Sequence, residues 1–404
     1  MVIKRTDPRY PRQRPSCLLV LFVLFGVAVG LFVIINREEV RDIIIPTPTP
    51  EPTRSATEFA LLADLSEDDG EYMIAIEYYE NAVRLDATKP EFFIRLINLL
   101  VKTGQPERAL EVAEQAIVLA PENDAVWTVV ASAYIANGDR LYDLGDPPGA
   151  DLQYAQARQA ADKAIDINPE NATAYAYAAA GWVLPGDPEN YTLAQEMADL
   201  AVIVDPENPT ARYYMATVLD YQGYYDAARD NYLLGLDADP NNVNLLIGLA
   251  YNFFGTGNIS EAIIYFERAI EADPNSASAH DGLAYMYIQL GQDPIAEEHA
   301  LEAVRLNPNV ARAHGRLGEA YFRQFNYEKA VESLERAVSL YGKATDLNSR
   351  FFLMLGNAYI RDSFDNCPQA VPYFEQVIAV SSAWRENAAA SIEECRRAAL
   401  EVSP

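Results

Sequence analysis

The sequence predicts an all-α protein in which helix pairs stack into a solenoid, preceded by one membrane-spanning helix. Three observations support this fold class. Apolar residues recur at helical spacing through most of the 404-residue chain. An uncharged run of 19 residues, Cys17 to Ile35, lies near the N-terminus. Prolines recur every 34 residues, which is typical of stacked repeats, at Pro206, Pro240, Pro274 and Pro308.

The N-terminal apolar run is long enough to cross a bilayer. As a helix it would extend about 28 Å, close to the ~30 Å hydrocarbon core. Five basic residues and one acidic residue precede it, so the positive-inside rule predicts a cytoplasmic basic tail at 1–16 and an extracytoplasmic position for the rest. A cleaved secretory signal is the alternative, but the sequence lacks its short apolar region and small-residue cleavage site. We therefore predict a retained transmembrane helix at 17–35 that contacts the lipid bilayer.

The segment 36–55 is a linker rich in proline and threonine. Its run PTPTPEPT cannot form a helix or a sheet ladder. Polyproline II, which would make it a semi-rigid stalk, is one interpretation, and a disordered linker is the other. Both would lift the following residues away from the membrane.

Each 34-residue unit is predicted to contain two helices. A proline ends most units, because proline cannot continue a helix. A glycine lies midway, and we assign the turn between the two helices to it. These glycines are Gly70, Gly104, Gly138, Gly223, Gly257 and Gly291.

The unit that begins at Val243 carries Leu246, Leu249, Ala250, Phe253, Ala262, Phe266, Ala269 and Pro274. This pattern resembles the tetratricopeptide repeat. The resemblance covers residues 56–382 and implies a right-handed superhelical solenoid of about nine helix pairs. Residues 383–404 are predicted to form a C-terminal capping helix and tail that covers the last repeat.

The third unit is longer than the others by about 14 residues, around 139–152. We favour a lengthened helix pair with a Pro-Gly turn. The alternative is a projecting loop that touches a partner, since insertions in repeat proteins often lie on one face.

The resemblance also implies a concave surface lined by the first helix of each pair. Carried over to this sequence, it predicts a groove for an extended peptide or a partner helix. Ordinary packing between neighbouring first helices is the alternative for the same residues. The predicted groove residues are Tyr213, Asp220, Ile247, Tyr251, Phe254, Asp281, Tyr285, Ile288, Arg312, Glu319, Phe322, Arg350 and Asn357.

Composition argues against several other functions. The formal net charge of −28 repels phosphate backbones, so no nucleic-acid partner is expected. We find no motif for a nucleophile, a phosphate loop or a metal, and predict no enzyme activity, cofactor or metal site. His280 and His314 occupy the same place in neighbouring units, where we expect their rings to serve packing; the alternative is that the two lie near each other, with His299 elsewhere.

Cys367 and Cys395 are predicted to form a disulfide. The last second helix begins near Cys367, and antiparallel packing would bring the end of the capping helix back beside it. An extracytoplasmic compartment favours the bridge. Two buried free thiols are the alternative.

These features together predict a non-enzymatic scaffold in the cell membrane, single-pass, with a cytoplasmic N-terminus. It would bind proteins or peptides through the concave face of an extracytoplasmic solenoid. The alternatives are a structural subunit of an envelope assembly or secretion complex, and a small-molecule or glycan receptor.

Overall fold

A computed structural model of the protein describes residues 17–35 and 54–402, without the side chains at positions 17, 19, 20, 33, 401 and 402. These described residues divide between two compact units, with the boundary between Arg54 and Ser55. In the first unit, helix α1 spans Cys17–Ile35. Over the part of the chain that is described in full, no helix is long and apolar enough to cross a membrane. The predicted basic tail at 1–16 and all but the last two residues of the predicted linker at 36–55 lie outside the described residues.

The second unit consists of nine helix pairs and one further helix, with no β-strand among its described residues. This confirms the prediction of an all-α repeat solenoid. The pairs are α2 (Ala56–Asp68) with α3 (Tyr72–Leu85), α4 (Pro90–Lys102) with α5 (Pro106–Leu119), α6 (Asp124–Asp143) with α7 (Pro147–Ile167), α8 (Ala172–Val183) with α9 (Tyr191–Val204), α10 (Pro209–Tyr221) with α11 (Tyr225–Ala238), α12 (Val243–Gly255) with α13 (Ile259–Ala272), α14 (Ala277–Leu290) with α15 (Asp293–Leu306), α16 (Ala311–Arg323) with α17 (Tyr327–Tyr341), and α18 (Ser349–Asp362) with α19 (Cys367–Val380); α20 (Arg385–Val402) follows.

The turn inside most pairs is made by a glycine with positive φ, a conformation that glycine adopts without steric cost. Gly104 has φ 70°, and Gly145 makes the turn of the third pair with φ 80°. The assignment of that turn to Gly138 was wrong, because Gly138 lies inside α6. There a Cβ atom would come within 2.5 Å of the Tyr154 ring, so this glycine serves close packing and not a turn.

Six of the nine first helices begin at a residue whose side chain caps their free amide groups. The side chains of Asn123, Asn171, Asn208 and Asn242 accept hydrogen bonds from amides in the first turns of α6, α8, α10 and α12. An asparagine at this place satisfies donors that have no partner within the helix. The Asn-rich ends of the repeats therefore stop one helix and start the next.

The first helices lie on the inner side of the stack. Neighbouring first helices, such as α10 with α12 and α14 with α16, contact each other directly, and each second helix contacts the first helix that follows it. The inner side of a curved stack is where equivalent elements approach most closely. Fully buried alanines such as Ala228 and Ala262 allow the two helices of a pair to pack closely.

The final helix, α20, packs against α19 and α18. It buries Ala388 and Cys395, and Glu394 lies 3.1 Å from the Arg361 guanidinium. A terminal helix with an apolar inner face and a charged outer face is what closes the core of a repeat protein.

A row of contacts joins parts of the solenoid that are about six repeats apart. Asn275 Nδ2 donates to the carbonyl oxygen of Gly70 at 3.0 Å, across 205 residues of sequence. A Cβ atom on Gly104 would lie 2.6 Å from Asn307 Nδ2, and one on Gly145 would lie 2.6 Å from Thr345 Oγ1. We call this row the seam: residues 70–72, 104 and 143–145 on one side, and 273–275, 307, 312 and 345–348 on the other.

Candidate functional site

Several predicted groove residues form an accessible aromatic row on the inner surface. Phe254 of α12 and Tyr285 of α14 meet edge to face with their ring centroids 5.3 Å apart. Tyr251 is 36% exposed and packs its edge against Phe266. Ile247 and Phe322 are half-buried at the same surface. These side chains are positioned by neighbouring first helices and remain open to solvent.

Two predicted groove residues are buried, and a third contacts the capping helix. Ile288 is 1% exposed and packs in the core with Ala296 and Ala320. Asp281 is 2% exposed because Arg312 and Arg316 cover it. Asn357 accepts a hydrogen bond from Ser391 of α20 at 2.9 Å, so the capping helix occupies its face. Ile288 and Asp281 are therefore buried in this structure, and the role predicted for all three residues stays a prediction.

The charged groove residues pair with one another inside the protein. Arg312 Nε and Arg316 Nη1 lie 2.9 Å and 2.5 Å from Asp281 Oδ2. Arg350 forms an ion pair with Glu319 on the preceding first helix. These ladders tie α14 to α16 and α16 to α18, so the charges hold the inner surface in shape.

Tyr213 and Asp220 of α10 also have partners within the chain. Asp220 accepts hydrogen bonds from the Tyr232 hydroxyl at 3.0 Å and from Asn252 Nδ2 at 2.6 Å, while burial raises its pKa. Tyr213 meets the rings of Tyr214 and Tyr232 edge to face. Burial raises the pKa of Tyr213, so its hydroxyl stays protonated.

The insertion in the third unit is a lengthened helix pair, as we favoured, and its tip contacts the chain itself. α6 has 20 residues and α7 has 21. At the tip, Asp143 Oδ1 lies 2.9 Å from Arg312 Nη1. Leu144 packs against the core of the eighth and ninth pairs. Sequence reasoning missed Asp143 and its neighbours, because nothing local reveals a contact with Arg312.

A second aromatic cluster lies at the turn of the eighth pair, and sequence reasoning missed it too. Phe325 is 77% exposed and has φ 62°, where most other pairs have glycine. Tyr327 contacts both Phe322, at 5.4 Å between centroids, and Phe325, at 6.4 Å. A bulky residue in this backbone region is strained, and such strain often marks functional sites. The absence of a glycine at this turn was the sequence signal that pointed to the cluster.

The histidines are arranged differently from our expectation. His280 Nδ1 lies 3.2 Å from Nδ1 of His299, the residue that we placed elsewhere, and Tyr287 stacks on His299. The Nε2 atom of His314 instead contacts the carbonyl oxygen of Pro308. Burial lowers the pKa of His280 and of His299. Among the described residues, no group of three or more His, Cys, Asp or Glu side chains could hold a metal ion.

Cys367 and Cys395 are joined by a disulfide, with their Cα atoms 5.7 Å apart. The bridge links the first residue of α19 to the middle of α20. It closes a loop that contains the turn between the last repeat and the capping helix. The position of the cap therefore depends on a covalent link as well as on packing.

A shallow recess lies between α5, α6 and α7 and has a volume of about 270 Å³. Trp127 and Tyr134 form its aromatic walls, and Gln156 and Lys163 add polar groups. Buried Gln156 Oε1 has no hydrogen-bond partner there.

The fold and its inner surface define a helical repeat solenoid, and comparison with known proteins identifies the repeat. Residues 68–133, 243–276 and 311–344 match models of the tetratricopeptide repeat. Tetratricopeptide repeats are therefore present in the solenoid. A curated relative, Photosystem I assembly protein Ycf3 from Cyanophora paradoxa, is 27% identical over 127 residues, covering 31% of this chain and 73% of that protein.

Two solved structures match this chain at low sequence identity. Pseudomonas aeruginosa pilF is 18% identical with a TM-score of 0.47, covering 55% of this chain and 98% of that chain. The APC/C hetero-tetramer Cut9-Hcn1 is 17% identical with a TM-score of 0.49, covering 84% of this chain and 69% of that chain.

Proposed function

We propose that this protein is a non-enzymatic scaffold that binds another protein on the inner surface of its solenoid. The presence of tetratricopeptide repeats supports a role in protein interaction. The location rests on one observation, the accessible row of Tyr251, Phe254 and Tyr285. Rigid aromatic side chains supply much of the binding energy at protein interfaces. An extended segment or a helix would lie along this row.

The test is capture of partners by the full-length protein from a detergent extract of the envelope. We compare the wild type with a Tyr251→Ala, Phe254→Ala variant. The matched control is Tyr224→Ala, Tyr225→Ala, which removes two exposed rings at the turn of the fifth pair. Circular dichroism must show equal helicity. A protein kept by the control and lost from the Tyr251, Phe254 variant supports the proposal, whereas equal retention by both contradicts it.

We also propose that residues 17–35 anchor the scaffold in the cell membrane, with residues 1–16 cytoplasmic and the solenoid extracytoplasmic. The uncharged sequence of α1 and the five basic residues before it support the anchor. The bridge between Cys367 and Cys395 supports the extracytoplasmic side, because disulfides persist in oxidising compartments. Protease added to intact spheroplasts should digest the solenoid and spare an N-terminal tag. A protected solenoid would contradict this topology.

The second candidate function is that of a structural subunit in a larger envelope assembly. The exposed, strained Phe325 favours it, because this ring and its neighbour Tyr327 lie at the turn of the eighth pair, whereas Tyr251, Phe254 and Tyr285 lie on first helices. In that case Phe325→Ala would abolish co-purification of the assembly. The Tyr251→Ala, Phe254→Ala variant would leave it unchanged.

A further inference from the structure

The seam combines polar contacts that solvent can reach with one apolar contact, that of Leu144 with the core of the eighth and ninth pairs. Asn275 donates to the Gly70 carbonyl, and burial together with the nearby Asp273 carboxylate raises the pKa of the Tyr72 hydroxyl. The ion pair between Asp143 and Arg312 joins side chains that are 43% and 33% exposed. Salt screens ion pairs of this kind, and each contributes little to stability.

The contacts between stacked pairs are of a different kind. They bury large apolar side chains completely, for example Leu249, Phe266 and Phe352. Removal of apolar surface from water is the main source of stability in such cores, and salt does not screen it. When the solenoid is strained or the ionic strength rises, the seam should therefore separate before any pair separates from its neighbour.

We propose that the seam is a salt-sensitive closure that opens as a unit while the stacked pairs stay intact. Arg312 is the residue through which it acts, because its guanidinium contacts Asp143 across the seam and Asp281 in the neighbouring first helix α14. α14 also carries Tyr285 of the aromatic row. When the seam opens and Asp143 separates from Arg312, Arg312 remains paired with Asp281. The inner surface therefore keeps its shape.

The consequence for binding rests on the proposed function. A closed seam makes a complete turn of the superhelix, so its inner surface can be reached only from the ends of that turn. An open seam lets a partner segment enter from the side. The lengthened pair α6–α7 is then a gate, and its extra residues supply the Asp143 and Leu144 contacts that close it.

The seam is tested on the full-length protein in detergent, without any partner, by pulsed electron spin resonance. Spin labels are placed at Asp68→Cys and Glu271→Cys, which are exposed positions on opposite sides of the seam, in a Cys17→Ser background. At low salt we expect one narrow distribution of short distances. High salt, or the seam variant Asp143→Lys, Asn275→Ala, should shift the distribution to longer distances and broaden it.

The matched control is Glu107→Lys, which makes the same change of charge in an ion pair of similar length. Glu107 lies 2.8 Å from Arg140 of the next pair and does not belong to the seam. The inference is overturned if high salt and the seam variant leave the distances unchanged, or if the control shifts them equally.

Partner capture is then compared between wild type and the seam variant. Faster capture by the seam variant supports the role of α6–α7 as a gate. If the seam opens but capture is unchanged, that role is overturned. If neither the wild type nor the seam variant captures a protein, the proposed function fails. The distance measurement still shows whether the seam opens, because it needs no partner.

Discussion

Asp143 Oδ1 and Arg312 Nη1 lie 2.9 Å apart, although 169 residues separate them in the sequence. The same guanidinium donates from Nε to Asp281, which also accepts from buried Arg316. Arg312 therefore belongs to two environments, an exposed pair across the seam and a buried pair inside the stack. Because burial decides how much an ion pair matters, substitutions in the two environments should have different costs.

Arg316→Ala should destabilise the solenoid strongly. It would leave the buried carboxylate of Asp281 with Arg312 alone, and breaking a buried pair costs about 3–5 kcal/mol of unfolding free energy. Asp143→Ala removes only an exposed partner and should cost about 1 kcal/mol or less. Urea unfolding followed by circular dichroism measures both values.

A double variant isolates the charge effect from the loss of packing by Arg316, which also stacks over Tyr285 at 4.5 Å. Asp281→Asn combined with Arg316→Ala leaves no buried carboxylate without its partner and should recover part of the lost stability. If Arg316→Ala costs no more than Asp143→Ala, the buried pair does not have the role assigned to it.

The bridge between Cys367 and Cys395 should be detectable by thiol counting and should stabilise the C-terminal end. The chain has three cysteines, so the unfolded, unreduced protein should show one free thiol and the reduced protein three. Cys367→Ala with Cys395→Ala should lower the unfolding free energy by about 3–4 kcal/mol on the chain-entropy model, given a sequence separation of 28. Faster hydrogen exchange should be confined to α19 and α20. Three thiols before reduction would show that the bridge does not form.

The repeat was predictable from the sequence because its signals act locally. A glycine such as Gly104 makes a turn through its own positive φ, and an asparagine such as Asn242 caps the helix that it precedes. Each unit repeats these signals at the same spacing, so the helix bounds of one unit predict those of its neighbours. The exception, Gly138, shows the limit: the same residue type can serve close packing inside a helix.

The seam and the burial of the groove residues were not predictable in this way. The contact of Asp143 with Arg312 depends on the small rotations that six stacked pairs accumulate, and no single unit encodes that sum. Position within a repeat predicts which face a residue occupies, but other elements decide whether the face is open. Asn357, for example, accepts a hydrogen bond from Ser391 of α20, a helix outside the repeat pattern.

Phe325→Gly should stabilise the protein. Phe325 has φ 62° at an exposed turn, and a residue with a side chain pays about 1–2 kcal/mol there. Glycine removes this strain but loses more chain entropy on folding, so we expect a net gain of about 0.5–1 kcal/mol. Phe325→Ala is the matched control, because it removes the ring and keeps the Cβ atom. If Ala stabilises as much as Gly, the exposed ring and not the backbone is responsible.

The pair of His280 and His299 should make the seventh repeat sensitive to acid. Burial lowers the pKa of both imidazoles, so the unfolded chain takes up protons at a higher pH than the folded protein does. The stability that depends on this neutral pair is therefore complete above the unfolded pKa of about 6.5 and is lost as the pH falls below it. Unfolding free energies measured from neutral to mildly acidic pH should fall less steeply in His280→Gln, His299→Gln than in the wild type. His314→Gln, which alters a separate buried imidazole with a lowered pKa, should flatten the curve by a smaller amount because only one group is removed. A double variant as steep as the wild type would mean that the two imidazoles do not control the acid response.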